Sequence, residues 1–443
     1  MRFQFPLMNQ EPEKDLARVL LLTPLWWALG FNFFIYHTVV FFLALRLMLI
    51  SSRSGTLRVP FPLFPLFLFL LGYILSILIN IPYRPSQRIF ASLNNLSQAF
   101  LGAVLMLAVF QMKGEVLLSE LLSACRLLTV FTFLLAVISL LLWFAGFDNL
   151  WIEPLLLRVF PSLMEYPYFY SLMIMKITMT EWVMSEMPRL SLYAGAPTAT
   201  GGLMVMILPL TIASYRLKQS GKIQGFLGLL MLHFPLLFSQ ARSAICGWLA
   251  ALMLVAFVSR QKKIIWGLAL LWGGFFLSDF LYRSLEWVVN LRQSSNVGRL
   301  RLYEEAWQIV KGENPVFGLG VRLRDEFTVM ALGTHAFYME LIFVTGFFGL
   351  ACFVIFQLAM AIEWFRQQKW LVTSPEEILW QCLGLGYWAS NLWLMTDSII
   401  AYPHIAYIYF LMSGLILLQG RILREGRHLI WKNHRLCYEG ALR

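Results

Sequence analysis

Three basic side chains, far apart in the chain, carry the first chemical hint: Arg242 in FSQARSAICGW, Arg299 in VGRLRLYEEAWQIVK and His335 in GTHAFYMELIFVTGFFG. Each stands where polar sequence meets an apolar run. A charge held beside lipid is costly unless it meets a counter-ion, so guanidinium groups gathered at one membrane face favour an anion. A lipid diphosphate would supply one at the right depth, and an arginine fork binds phosphate oxygens in pairs. A histidine there titrates near neutrality and can take a proton. Taken singly, each residue also has a plainer role. Arg242 can be a snorkelling anchor, Arg299 a headgroup contact and His335 a hydrogen-bonded packing group.

The elements that must position these residues are membrane helices. The chain has 443 residues, 59% hydrophobic and only 13% charged, with a mean hydropathy of +0.69, outside the range of soluble domains. Apolar runs near the ~20 residues that cross a bilayer as a helix, without period-2 alternation, predict an all-α polytopic bundle rather than a barrel. About twelve spans are expected: 17–31, 34–50, 61–80, 91–111, 118–146, 201–217, 223–239, 242–258, 264–282, 336–362, 378–396 and 401–419. The first two can equally form a bent hairpin or one long helix. The segment before them is polar and mixed in charge and does not read as a signal peptide.

The net charge of +11 is set mostly in short loops flanking the spans, which marks it as a topology signal and not a nucleic-acid footprint. Arg53 with Arg58, Lys113, Arg216 with Lys218 and Lys222, Arg260 with Lys262 and Lys263, Arg366 with Lys369, and the tail from Arg421 to Arg435 fall in alternate loops. The positive-inside rule puts these loops and both termini in the cytoplasm. Arg84 and Arg88, in a short outer loop, run against the rule. The outer face receives two long loops, 147–200 and 283–335, both expected to lie in the interface. In the second, Leu300, Tyr303, Trp307 and Val310 share one face of a helix predicted over Val297–Lys311, with Ser294, Ser295 and Asn296 as caps and Asn314–Pro315 as its stop. The whole chain, 1–443, reads as one membrane domain.

Other chemistries lack their signatures. GxxxxGK[ST], GxGxxG, DxD, HExxH and GxSxG are all absent, and the five cysteines have no ligand-like spacing. No cofactor and no metal site is expected.

Three motifs together resemble the O-antigen ligase and Wzy polymerase superfamily of bacterial polysaccharide assembly. They are the SxAR step Ser239–Arg242, the block GRLRLYEEAWQIVKGENPVFGLG (Gly298–Gly320), and His335 followed after Ala336 and nine residues by Gly346-x-x-Gly349. The resemblance is sharp over 239–350. It implies a GT-C-like helical fold in the cytoplasmic membrane and a metal-independent, inverting transfer on the extracytoplasmic face. The donor would be an undecaprenyl-diphosphate-linked oligosaccharide, the acceptor a growing glycan or the lipid A core. It further implies His335 as base, Arg242 and Arg299 as diphosphate clamp, and Arg301, Arg322, Arg324, Tyr338 and Asp397 as substrate-binding candidates. Asp397 could orient His335 or pair with an arginine, or be an ordinary boundary residue. Expected partners besides donor and acceptor are membrane lipids, a flippase or a chain-length regulator, and no nucleic acid. Ala336 stands where the ligase pattern has Asn, Ser or Gln, which favours a polymerase over a ligase. A non-catalytic transporter is the reading from a different class, although carriers more often place charges at midplane.

Overall fold

A computed structural model describes residues 12–32, 34–54, 57–147, 151–165, 174–176, 178–179, 188–217, 231, 233–260, 293–323, 336–432 and 435–440. Thirteen helices carry labels here: α1 (Pro12–Leu21), α2 (Thr23–Leu29), α3 (Ile35–Ser54), α4 (Leu63–Asn80), α5 (Ser86–Gln111), α6 (Glu115–Phe144), α7 (Leu155–Val159), α8 (Pro197–Leu217), α9 (Arg242–Val258), α10 (Gln293–Glu313), α11 (Phe337–Gln367), α12 (Ser374–Trp393) and α13 (Pro403–Arg424). Short two-stranded antiparallel ribbons join 151–152 to 175–176, 178–179 to 189–190, and 427–432 to 435–440.

Among the described residues, α4, α5, α6, α8, α11 and α13 are long and apolar enough to cross a membrane, while α3 and α9 are shorter apolar helices. The run predicted as 17–31 forms two helices of 10 and 7 residues, broken at Leu22 before Pro24, and neither is long enough to span alone. The predicted span 264–282 and most of 223–239 lie outside the described residues. The apolar stretch of α13 is 94% buried and that of α8 is 83% buried, against 33% for α6, so the first two form the centre and α6 faces lipid.

The basic loops gather at one end. Arg58 pairs with Glu425 at 3.2 Å, Arg424 with Glu363 at 2.8 Å and His428 with Glu376 at 3.0 Å, while Arg421 donates to the Met112 carbonyl at 2.6 Å. At the opposite end Arg84 is ion-paired with Glu313. Its charge is therefore compensated, which accounts for an arginine in a loop where the charge pattern disfavours one.

The most informative backbone feature is a break in α11. Gly346 adopts φ 65°, ψ −168°, a region open essentially to glycine alone. The break frees carbonyls above it and N–H groups below it, and in a membrane these need partners. The segment after α10 supplies them. Leu319 N–H and Gly320 N–H donate to the Phe343 and Val344 carbonyls at 2.9 Å each, and Phe347 and Phe348 N–H donate to Pro315 and Val316 at 2.9 and 3.1 Å. Ser76 on α4 donates to Val344 at 2.6 Å, and Ser92 on α5 donates to Gly320 at 2.6 Å. The FGLG turn and the GxxG step are thus two halves of one joint.

A Cβ at Gly346 would overlap the Val316 carbonyl, and one at Gly349 would overlap Thr345 Cβ, which no rotamer change relieves. Gly346→Ala is expected to destabilise the protein by about 1–3 kcal/mol from backbone strain alone, with the overlap adding to it. Thermal unfolding in detergent checks this: Gly346→Ala should melt well below Gly312→Ala, where an added Cβ meets nothing within 4 Å.

Candidate active site

The site forms at the end of the bundle opposite the basic loops, where α8, α9, α10, α11 and the turn between α12 and α13 meet. The SxAR step builds one wall. Ser239 donates to Leu236 at 2.7 Å and accepts the Ala241 N–H at 3.2 Å, closing a tight turn. Ala241 is buried against Gly201 of α8, so a small residue is required there. Arg242 then opens α9. The next residue, Ser243, accepts a hydrogen bond from Thr396 in the α12–α13 turn, which ties the head of α9 to that turn.

The helix α10 forms the roof. Its described part starts at Gln293, so the backbone of Ser294, Ser295 and Asn296 is already helical. It ends at Glu313, and Asn314 accepts the Phe317 N–H at 3.0 Å, which terminates the helix at the predicted point. Its inner face consists of Tyr303, Ala306, Trp307 and Val310, and the Trp307 ring lies 5.7 Å from that of Phe347. Leu300, predicted on that face, is 60% exposed. The Arg84–Glu313 pair pins the far end of α10 to the α4–α5 turn.

Arg299 lies one helical turn before Tyr303 on the same side of α10. Its guanidinium is within electrostatic reach of three groups: it repels Arg242 and attracts Asp397 and the Tyr303 phenol. Asp397, 8% exposed, sits in the α12–α13 turn and accepts the Ser398 N–H at 2.8 Å. Burial is the main influence on its carboxyl and pushes it up from the ordinary 3.8. The Thr198 hydroxyl, the Ser398 N–H and Arg299 pull it down, and Glu340 adds to the rise. Thr198 is held in place by Trp393, whose Nε1–H donates to its carbonyl at 3.0 Å. Burial likewise raises the Tyr303 phenol, opposed by Arg299 and reinforced by Asp397.

This arrangement carries a sign that can be tested. A carboxyl raised in the folded state binds its proton more tightly there than in the unfolded chain, so ionised Asp397 costs stability at neutral pH. Wild type should gain stability as pH falls through the raised titration toward 3.8, and Asp397→Asn should lack that share of the gain. Melting temperature against pH for the two proteins measures the difference.

The remaining candidates are placed differently. Arg301 is exposed, two residues beyond Arg299 and so on another side of α10. Arg322 donates to Glu340 from Nε at 2.9 Å and also from Nη2. Tyr338 engages Gln357 at 3.0 Å, within a network that continues to Asn391 and Tyr409. His335 and Arg324 lie outside the described residues. The residue after His335, Ala336, is extended, and Phe337 N–H donates to the Leu394 carbonyl at 3.0 Å, so α11 begins against the turn that bears Asp397.

Two groups went unread in the sequence. Thr198 had no signal. Glu340 had one, being an ionisable residue inside the apolar run FYMELIFVTGFFG.

With two arginines and a carboxylate from separate parts of the chain at one end of the bundle, the family comparison becomes informative. Residues 226–354 match the O-antigen ligase family, Wzy_C. The Wzy_C segment contains Arg242, Arg299, Glu340, Gly346 and Gly349, while Thr198 and Asp397 come from outside it. The site therefore draws on both the Wzy_C segment and the flanking helices. Comparison with curated proteins gives no match.

Proposed function

We propose that the protein is a glycosyltransferase of bacterial cell-surface polysaccharide assembly. In this reading it transfers an oligosaccharide from undecaprenyl diphosphate to a sugar hydroxyl, most consistently as a polymerase. The Wzy_C match supports polysaccharide assembly in general. The observation that supports the finer reading is that Arg242, which opens α9, and Arg299, on α10, come within electrostatic reach of each other although 57 residues apart in the chain. Two guanidinium groups gathered beside lipid against their own repulsion favour an anion between them. By the positive-inside rule, the end opposite the basic loops is extracytoplasmic, where a flipped lipid-linked glycan presents its diphosphate.

The reaction then follows from the groups. His335 takes the acceptor hydroxyl proton while that oxygen attacks the anomeric carbon from the face opposite the diphosphate. The new glycosidic C–O bond forms as the bond to the phosphate oxygen breaks, and the electron pair leaves on undecaprenyl diphosphate. Arg242 and Arg299 stabilise the negative charge that builds there. Asp397 holds Arg299 in place from behind. A single displacement of this kind inverts the anomeric configuration.

Ala336, in place of the polar residue of the ligase pattern, favours chain growth over transfer to lipid A core. Purified protein incubated with an undecaprenyl-diphosphate oligosaccharide tests the reading. Laddered lipid-linked products are expected. Transfer only after addition of lipid A core would make it a ligase, and no turnover with either acceptor, together with substrate counterflow in vesicles, would make it a carrier.

A further inference from the structure

Glu340 is 1% exposed in the first turn of α11, where an unpaired carboxylate would be strongly destabilising. Arg322 answers it with two N–H groups on Oε1. The second oxygen, Oε2, is buried without a hydrogen-bond partner among the described residues, so the carboxylate depends on this arginine. Arg322 in turn sits two residues beyond Gly320, at the end of the segment docked into the α11 break. The pair therefore fastens that segment to the head of α11, which is tied on its other side, through Phe337 and Leu394, to the turn bearing Asp397.

We propose that Glu340, acting through Arg322, is a positioning residue of the transferase site, and that Arg322 is thereby withheld from the donor diphosphate. Two consequences of the geometry support this. The head of α11 is held in place from both sides, and the pair forms one of them. In addition, the Glu340 charge reaches Asp397. Left uncompensated, Glu340 would make the charge on Asp397 costlier and weaken its hold on Arg299. Arg322 is thus engaged by an internal carboxylate, whereas Arg299 is attracted by the buried Asp397 and lies within electrostatic reach of Arg242.

The functional part of this assignment rests on the transferase reading, so the test carries a readout that does not. Full-length wild type, Glu340→Gln, Glu340→Asp, Arg322→Met and the double variant Arg322→Met/Glu340→Met are compared in nanodiscs with an undecaprenyl-diphosphate oligosaccharide. Glu340→Gln is expected to lower kcat about tenfold, the scale of one misplaced supporting hydrogen bond, with donor KM within about twofold of wild type. Glu340→Asp should recover part of the loss. The single Arg322→Met should be worse than the double, because it alone leaves a buried carboxylate unpaired. A tenfold rise in donor KM in both Arg322 variants, absent in Glu340→Gln, would make Arg322 a diphosphate ligand and overturn the proposal. So would an unchanged kcat in Glu340→Gln.

Hydrogen exchange of peptides covering 315–323 serves as the independent readout. Faster exchange in Glu340→Gln than in wild type is expected, and equal exchange would refute the positioning role. If wild type itself shows no turnover, the transferase reading falls while the exchange result still decides the pairing.

Discussion

Replacing Arg299 with alanine is expected to lower kcat/KM for glycan transfer by about 10²–10³-fold, the scale of losing one preorganised charge stabiliser at a developing anion. Arg299 comes from the roof helix α10, and the buried Asp397 carboxylate attracts it electrostatically. Arg242→Ala should act similarly, because in the proposed reading it flanks the same diphosphate as Arg299. The two losses should be far from additive, as expected of groups that clamp one diphosphate. Lysine at either position should recover only part of the rate, since an ammonium cannot offer the paired fork. Arg301→Ala, on an exposed side of the same helix, is the internal control and should change the rate little. Steady-state kinetics with purified protein and lipid-linked donor measure each of these variants.

Replacing His335 with alanine is the second large expected effect, a loss of about 10²–10⁴-fold in kcat, the usual contribution of a positioned general base. Donor affinity should be almost unchanged, because the imidazole acts on the acceptor proton and not on the diphosphate. His335 directly precedes Ala336 and Phe337, and the Phe337 N–H is hydrogen-bonded to Leu394, at the start of the turn that carries Asp397. A neutral imidazole can accept the proton of the attacking hydroxyl. Retention of transfer by the alanine variant, at unchanged expression, would remove the base assignment.

Much of this architecture was legible in the sequence because lipid imposes simple rules. Apolar length marked helices such as 61–80 and 201–217, observed as Leu63–Asn80 and Pro197–Leu217. Basic loops foretold which ends of the helices gather, and the ion pairs of Arg58 and Arg424 with Glu425 and Glu363 sit at that end. The SxAR step could be read for its arginine but not for the job of its serine, because the turn it closes depends on Gly201, distant in sequence.

What stayed hidden was pairing at a distance. Gly346 and Gly349 read equally well as a small-residue packing notch. Only the docking of Pro315–Gly320 shows Gly346 to be a helix break. Leu300 fitted the apolar stripe of α10 by spacing yet faces outward, since the stripe that packs is set by Ala306 and Val310 against their neighbours. Arg322 read as a substrate-binding candidate, and its bond to Glu340, buried inside an apolar run, had no sequence signal that joined the two.

The central claim is that Arg242 and Arg299 together bind the diphosphate of a polyprenyl-linked donor. The most direct test is the affinity of wild type, Arg242→Ala and Arg299→Ala for undecaprenyl diphosphate without a sugar, titrated in nanodiscs. Losing one charge-assisted phosphate contact should weaken binding by about tenfold or more in each variant. Wild-type affinity in both variants would contradict the account.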